Sequence, residues 1–408
     1  MRTIAFLVVA ATAFPAFSLP AEERRDTVVF AERKDAKYDA IKAEVRRPEE
    51  TAPKKRMWVD FSAVDAPKAV SEFTKAWHQP SVCQGLSGMC WCFSTTSFLE
   101  SEVYRTTKRE LRLSALHTVY WEHVEKAKGW VRSRGTSVYG EGSQPAAVLR
   151  ALREHGAVPA EAYTGLTEGR KDHDHESTVY AEIRAYLDGV KAAGAWNEAQ
   201  VVSTVRAILD HHLGAPPEKV VVDGQALTPQ EYLAKVVRLN PDDYVAFLST
   251  MEKPYWEKAE YAVPDNWWHG KEYVNVPLDA FLGAIKGALR GGFTVVVASD
   301  MSEPGYSVGP PGIAVVPTWD VPSAFLDEAA RQFRFANGTT SDDHDLHVVG
   351  WTTHGGKEWF LVKDSWSSAW NNDHPGYYFF HEDYVKLKML AFLVHKDAVK
   401  DLLSRVKG

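Results

Sequence analysis

Hydrophobic and polar positions change their spacing along the chain, and the change divides it. In "CWCFSTTSFLESEVYR" apolar residues recur three and four apart, with Phe98, Leu99 and Val103 along one side, which predicts a helix starting at Cys90. The same period runs through "SALHTVYWEHVEKAKGWV" and "PAAVLRALREHG", where Gly156 suits a helix stop. "TPQEYLAKVVRL" opens with Thr228 as cap, Pro229 at the first helical position and Glu231 completing a capping box. Before it, "VVVDGQAL" predicts a hairpin turning at Asp223-Gly224. Residues 110 to 290 therefore read as a long, mainly helical stretch. The last third changes character: "FTVVVAS", "DLHVVGW", "EWFLVKD", "GYYFF" and "LAFLVH" are short runs rich in Val, Phe, Tyr and Trp, and predict strands. Helices first and strands later predict an α+β protein, a helical half facing a β half. No internal repeat interrupts this order.

The N-terminal residues stand apart. Residues 1–18 carry one Arg2, an apolar run from Ile4 to Phe17, and small residues at Ala16 and Ser18, the pattern of a signal peptide cut after Ser18. The expectation is an exported protein, periplasmic or extracellular. The run is too short for a permanent anchor, and no later stretch reads as a membrane span. Residues 19–57 are charged and read as a marginal helix and a Pro-containing linker, by default a solvated tail. The globular domain is expected over 58–408. Its 45% hydrophobic and 25% charged composition is that of a globular protein. A net charge of −7 with Lys and Arg spread along the chain gives no basis for nucleic-acid binding. The 14 Trp residues read mainly as core.

The three cysteines, Cys83, Cys90 and Cys92, lie within ten positions. A thiol at a helix start meets the positive end of the dipole, and a histidine within reach completes a nucleophile. Cys90 occupies that position, and Gln84 on the preceding loop could donate its amide to a developing oxyanion, with the Cys90 N–H as second donor. The plain alternative is three small buried thiols. Cys83 and Cys92 could pair or stay free. His173, Asp174, His175 and Glu176 crowd metal-ligand types together, but adjacent ligands rarely build a closed site, so they read as a polar loop before a helix.

Gln84, Gly85, Gly88, Cys90, Trp91 and Phe93 resemble, in order and spacing, the nucleophile segment of papain-like cysteine peptidases. "WFLVKDSWSSAWNNDHPGYYFF" is similar to that family's second-strand segment at Lys363, Ser365, Trp366, Trp370, Gly376 and Tyr377. The resemblance implies a papain-like fold, Cys90 as nucleophile, a histidine base at the start of a strand, and no metal or organic cofactor. His344 and His347 are three apart, so a strand points them to opposite faces; the family spacing, six before Gly350, favours His344. Asp364 stands where the family has Asn, and a carboxylate there orients the imidazole and favours its charged form. Trp366 would shield the His–Asp bond and Trp91 support the helix start. Ser87 and Ser367 depart from the family's half-cystine and glycine. Cys90 and His344 stand 254 positions apart (344 − 90), against roughly 130–150 in the simple plan. That interval resembles the bleomycin hydrolase and aminopeptidase C branch, which implies peptide substrates and aminopeptidase-like action. It also places "SDMSEPGYS" near the cleft, where Asp300 and Glu303 could attract a substrate amine. The end "KDLLSRVKG" lacks the apolar arm that enters the cleft in that branch. Oligomeric state is left open. The rival readings are a Cys–His–Asp acyltransferase or amidase, and a non-catalytic papain-fold binding module. Against the latter, all four site positions hold working residue types.

Overall fold

The computed structural model describes residues 28–32, 35–45, 55–167 and 169–407, so residues 1–18, where the sequence predicts a signal peptide, lie outside the described residues. Among the latter, a ten-stranded sheet organises the chain. Its order runs Ile313–Ala314, Tyr377–His381, Lys357–Lys363, His344–His354, Val295–Ser299, Met389–His395, Tyr244–Leu248, Tyr273–Asn275, Glu257–Ala259, with Thr74–Lys75 paired to the His344 strand. All five strands expected in the last third form, and most pairings are antiparallel.

These strands read as unbroken apolar runs rather than alternating ones because both faces are covered. Val296, Ala298 and Leu393 pack into the core of the helical half. Val295, Val297, Leu346 and Val348 face the other way, against Phe281 and Ile285 of helix Leu278–Arg290.

The helical half contains Cys90–Thr107, Ala115–Arg132, Pro145–His155, Val179–Ala193 and Glu198–Leu213. The Asp223-Gly224 hairpin forms with both turn residues at positive φ, and the Thr228–Glu231 capping box is present. The mainly helical reading of 110–290 holds to Leu213 and again in helix Leu278–Arg290, but it breaks after Leu213. Beyond it, residues 244–275 add three strands to one side of the sheet. These are three to five residues long, too short to show a period, and Pro241 and Pro254 flank the first.

Residues 19–57 are not simply a solvated tail. Val28–Glu32 pairs with Lys55–Val59, and helix Ala36–Val45 docks on the turn Ser367–Asn371. Asp35 accepts from Ser367 Oγ and Asn371 Nδ2, and Tyr38 stacks on Trp366. The serine that replaces the family glycine at 367 thus has a partner in the N-terminal segment.

Candidate active site

The nucleophile candidate sits where the pattern places it. Cys90 is the first residue of its helix and is half-buried. The first N–H groups of a helix have no partner within it, so the Cys90 N–H is available to a ligand. The loop before the helix is tied down by local chemistry. Ser87 Oγ donates to the Gln84 carbonyl at 2.7 Å, and Leu86 N–H donates to the His173 carbonyl at 2.8 Å. Gly85 adopts φ +69°, and a Cβ there would run into the His173 carbonyl oxygen. Gly85→Ala should therefore cost about 2 kcal/mol or more, from strain and displaced backbone together. A lowered midpoint in thermal unfolding, with reduced activity in the surviving fold, is the expected readout.

That contact revises the polar-loop reading of "KDHDHES". His173, Asp174 and His175 are buried rather than solvated, and they brace the nucleophile loop through the Leu86–Asp174 bridge. Burial pushes His173 down to about 4, so it rests there as a neutral ring.

Gln84 is buried and doubly held. Its Oε1 accepts from Ser365 Oγ at 2.6 Å, and one amide N–H goes to the Ser87 carbonyl at 2.6 Å. A side-chain amide has two N–H groups, so one remains for another acceptor. Trp91 is buried and donates its indole N–H to the Glu141 carbonyl. Glu141 in turn accepts the Gly88 N–H at 3.0 Å.

On the facing strand, His344 is the first residue of His344–His354. Its Nε2 lies 2.7 Å from Asp364 Oδ1, and the ring also hydrogen-bonds Cys90. With Nε2 engaged, the bond to Cys90 falls to Nδ1. Burial disfavours the imidazolium, but the charges of Asp364 and Cys90 outweigh it and hold His344 well above its ordinary range. Asp364 receives two further donors, the Trp366 N–H at 2.8 Å on Oδ1 and the Tyr306 hydroxyl at 2.9 Å on Oδ2. Trp366 stands edge-on to the His344 ring. Sequence reasoning missed Tyr306; a tyrosine in a loop beside the first central strand was the signal available.

His347 does not join this group. It is buried on the other face, with Nδ1 2.9 Å from Ser97 Oγ, beside a cavity of about 220 Å³ also lined by Phe93, Leu113 and Lys363. Cys83 and Cys92 are free thiols and form no bridge. Burial pushes Cys83 up to about 11 and Cys92 higher still. Asp300 and Glu303 are already occupied: Asp300 accepts from the Ser302 and Ser341 N–H groups, and Glu303 pairs with Lys388.

Residues 140–407 match the profile described as the Peptidase C1-like family. The match includes His344, Asp364 and Trp366 and begins beyond the Cys90 helix. Among solved structures, PepW from Lactobacillus rhamnosis HN001 superposes with a TM-score of 0.65 at 19% identity, covering 83% of this chain and 85% of its own. That likeness identifies the fold, a papain-like α+β architecture. No curated protein sequence matches the chain.

Proposed function

The chain belongs to the Peptidase C1-like family and is a cysteine peptidase acting on peptides, and from that premise we propose that Cys90, His344, Asp364 and Gln84 carry its chemistry. What supports this most is one juxtaposition: a thiol at a helix start, hydrogen-bonded to an imidazole whose far nitrogen lies 2.7 Å from a buried carboxylate.

Cys90 Sγ attacks the scissile carbonyl as a thiolate beside the His344 imidazolium. The carbonyl oxygen becomes an oxyanion and accepts from the Cys90 N–H and the remaining Gln84 amide N–H. His344 returns its proton to the leaving amine, the C–N bond breaks, and an acyl-thioester is left on Cys90. Water then loses a proton to His344 and attacks the thioester, the C–S bond breaks, and the acid is released with Cys90 leaving as the thiolate beside the restored His344 imidazolium. Asp364 holds the ring in orientation and stabilises its charge, and Trp366 covers the His344–Asp364 bond.

The family resemblance of the 254-residue interval supports aminopeptidase-like action, and the leader pattern of residues 1–18 supports export. Among the described residues, no helix is long and apolar enough to cross a membrane.

The test is a pair of peptides of one sequence, one with a free and one with an acetylated N-terminus, under reducing conditions. Cleavage of the free form alone is the aminopeptidase-like result. Cleavage of both makes the enzyme an endopeptidase with the same machinery. Cleavage of neither across a broad peptide set contradicts the proposed chemistry.

A further inference from the structure

The proposed chemistry makes no use of the cavity beside His347. Its walls come from the face of helix Cys90–Thr107 that carries Phe93, Ser97 and Glu100, and from the strand pair that carries His347 and Lys363. Those two residues are register partners across the pair, so their side chains share one face of the sheet. His344, three positions before His347, points to the opposite face. Leu113, Leu116, Tyr163 and Leu166 line the far side, and the mouth opens past the exposed Val82. At about 220 Å³ the space exceeds the roughly 150 Å³ in which an apolar protein cavity holds benzene. A ring with a short side arm fits.

The polar groups on the strand wall form a chain with a loose end. The Lys363 ammonium donates to the Gln79 carbonyl and to Ser97 Oγ, both at 2.6 Å. Ser97 Oγ, accepting there, passes its own hydrogen to His347 Nδ1 at 2.9 Å. Burial keeps the His347 ring neutral, so its one proton sits on Nε2. That N–H is buried without a partner, on a residue that is 0% exposed. Lys363 holds a third hydrogen beyond its two bonds. Two donors on one face of the sheet thus await an acceptor, and a buried donor left unmade is costly.

Charge points the same way. The charged groups lining the cavity are Glu100, Arg112, Lys363 and Asp364, and Asp364 is matched by His344. That leaves Glu100 as one anion against two cations; it accepts the Leu113 N–H at 2.9 Å and lies 3.8 Å from Arg112. Burial works against both charges of the inner pair, pulling Lys363 down to about 7 and pushing Glu100 up to about 7. An anion beside Lys363 supplies the counter-charge that its surroundings lack. His173, the other imidazole on the wall, is neutral, and its Nδ1 is also buried and unpartnered.

We propose that this cavity binds a small apolar monocarboxylate, the carboxylate received by His347 Nε2–H and Lys363 and the apolar body lying against Phe93, Leu113, Leu116 and Leu166. The site is separate from the peptide cleft, yet its walls also support the catalytic group. Ser94 Oγ donates to the Cys90 carbonyl, Ser365 Oγ donates to Gln84, and His173 braces the Gln84 loop. An occupant therefore packs on the supports of both the nucleophile and the oxyanion donor.

The test is isothermal titration of the Cys90→Ala protein at pH 6, where Lys363 is charged and the acid ionised. The probes are phenylacetate, its neutral amide phenylacetamide, and the cation phenethylamine. Phenylacetate should bind roughly 10-fold or more tightly than the amide, the scale of a close buried charge pair, with phenethylamine weakest. Hexanoate runs beside them: tighter binding by it or by phenylacetate identifies the body as straight-chain or aromatic, and either supports the site. His347→Leu removes the free donor and should weaken phenylacetate roughly 10-fold. Leu166→Trp, at a half-buried position on the wall, should exclude acid and amide alike and keeps the test usable if His347→Leu fails to fold. Equal binding of acid, amide and amine overturns the inference. So does an absence of binding at millimolar concentration, or binding undiminished in both variants. Because turnover is not read, the peptidase reading stands or falls separately.

Discussion

Cys90→Ala is expected to abolish peptide cleavage, with kcat/KM falling roughly 10⁵-fold or more, the scale on which loss of a nucleophile acts. No other thiol can take its place. Cys92 is fully buried and donates to the Ala115 carbonyl at 3.2 Å. Cys83 is held in its neutral form by burial, which pushes its thiol up to about 11. The variant should fold, because Cys90 is half-buried at a helix end and its side chain fills no core layer. An unchanged thermal midpoint beside the lost turnover is therefore part of the expected result. A residual rate within tenfold of wild type would place the chemistry elsewhere.

The second large effect belongs to Asp364, and its two substitutions separate two roles. Asp364→Ala strips His344 Nε2, the Trp366 N–H and the Tyr306 hydroxyl of their shared acceptor and leaves a buried imidazolium uncompensated. A loss of about 10³- to 10⁴-fold in kcat/KM is expected, on the scale of orienting-carboxylate losses in triads. Asp364→Asn keeps an oxygen for Nε2 and the Trp366 N–H while removing the charge and the acceptor of the Tyr306 hydroxyl, so its loss should be smaller than that of Asp364→Ala. The sign of the pH effect follows from the cause. Asp364 raises His344, and the active form needs the imidazolium, so the wild-type rate should persist to a pH well above the ordinary histidine range. In Asp364→Asn the basic limb should move to lower pH. A kcat/KM–pH profile measured on both proteins decides it; an unmoved limb would mean the carboxylate only orients the ring.

Much of this was legible because it is local. A helix starting at Cys90, the Thr228–Glu231 box and the Asp223-Gly224 turn each depend on residues within a few positions of one another, and all formed as the pattern required. The late strands were legible by composition, since burial on both faces selects unbroken apolar runs. Three features were not. The strands at 244–275 are too short to carry a period, and their place in the sheet comes from neighbours over a hundred positions away, such as Met389–His395. The docking of Asp35 and Tyr38 on 366–371 joins segments more than three hundred positions apart, so a charged stretch read as a solvated tail. The partners of two acids were hidden for the same reason. Asp300 and Glu303 looked available in one dimension, whereas Ser341 and Lys388 engage them in three.

The central claim is a Cys90 thiol activated by His344, and the most direct measurement is the alkylation of each cysteine by iodoacetamide at pH 6, followed by mass spectrometry in the wild type and in His344→Ala. The proposed pair predicts rapid modification of Cys90, at least tenfold faster than Cys83 or Cys92, and a collapse of that advantage in His344→Ala. Modification of Cys90 at the same rate in both proteins would contradict it.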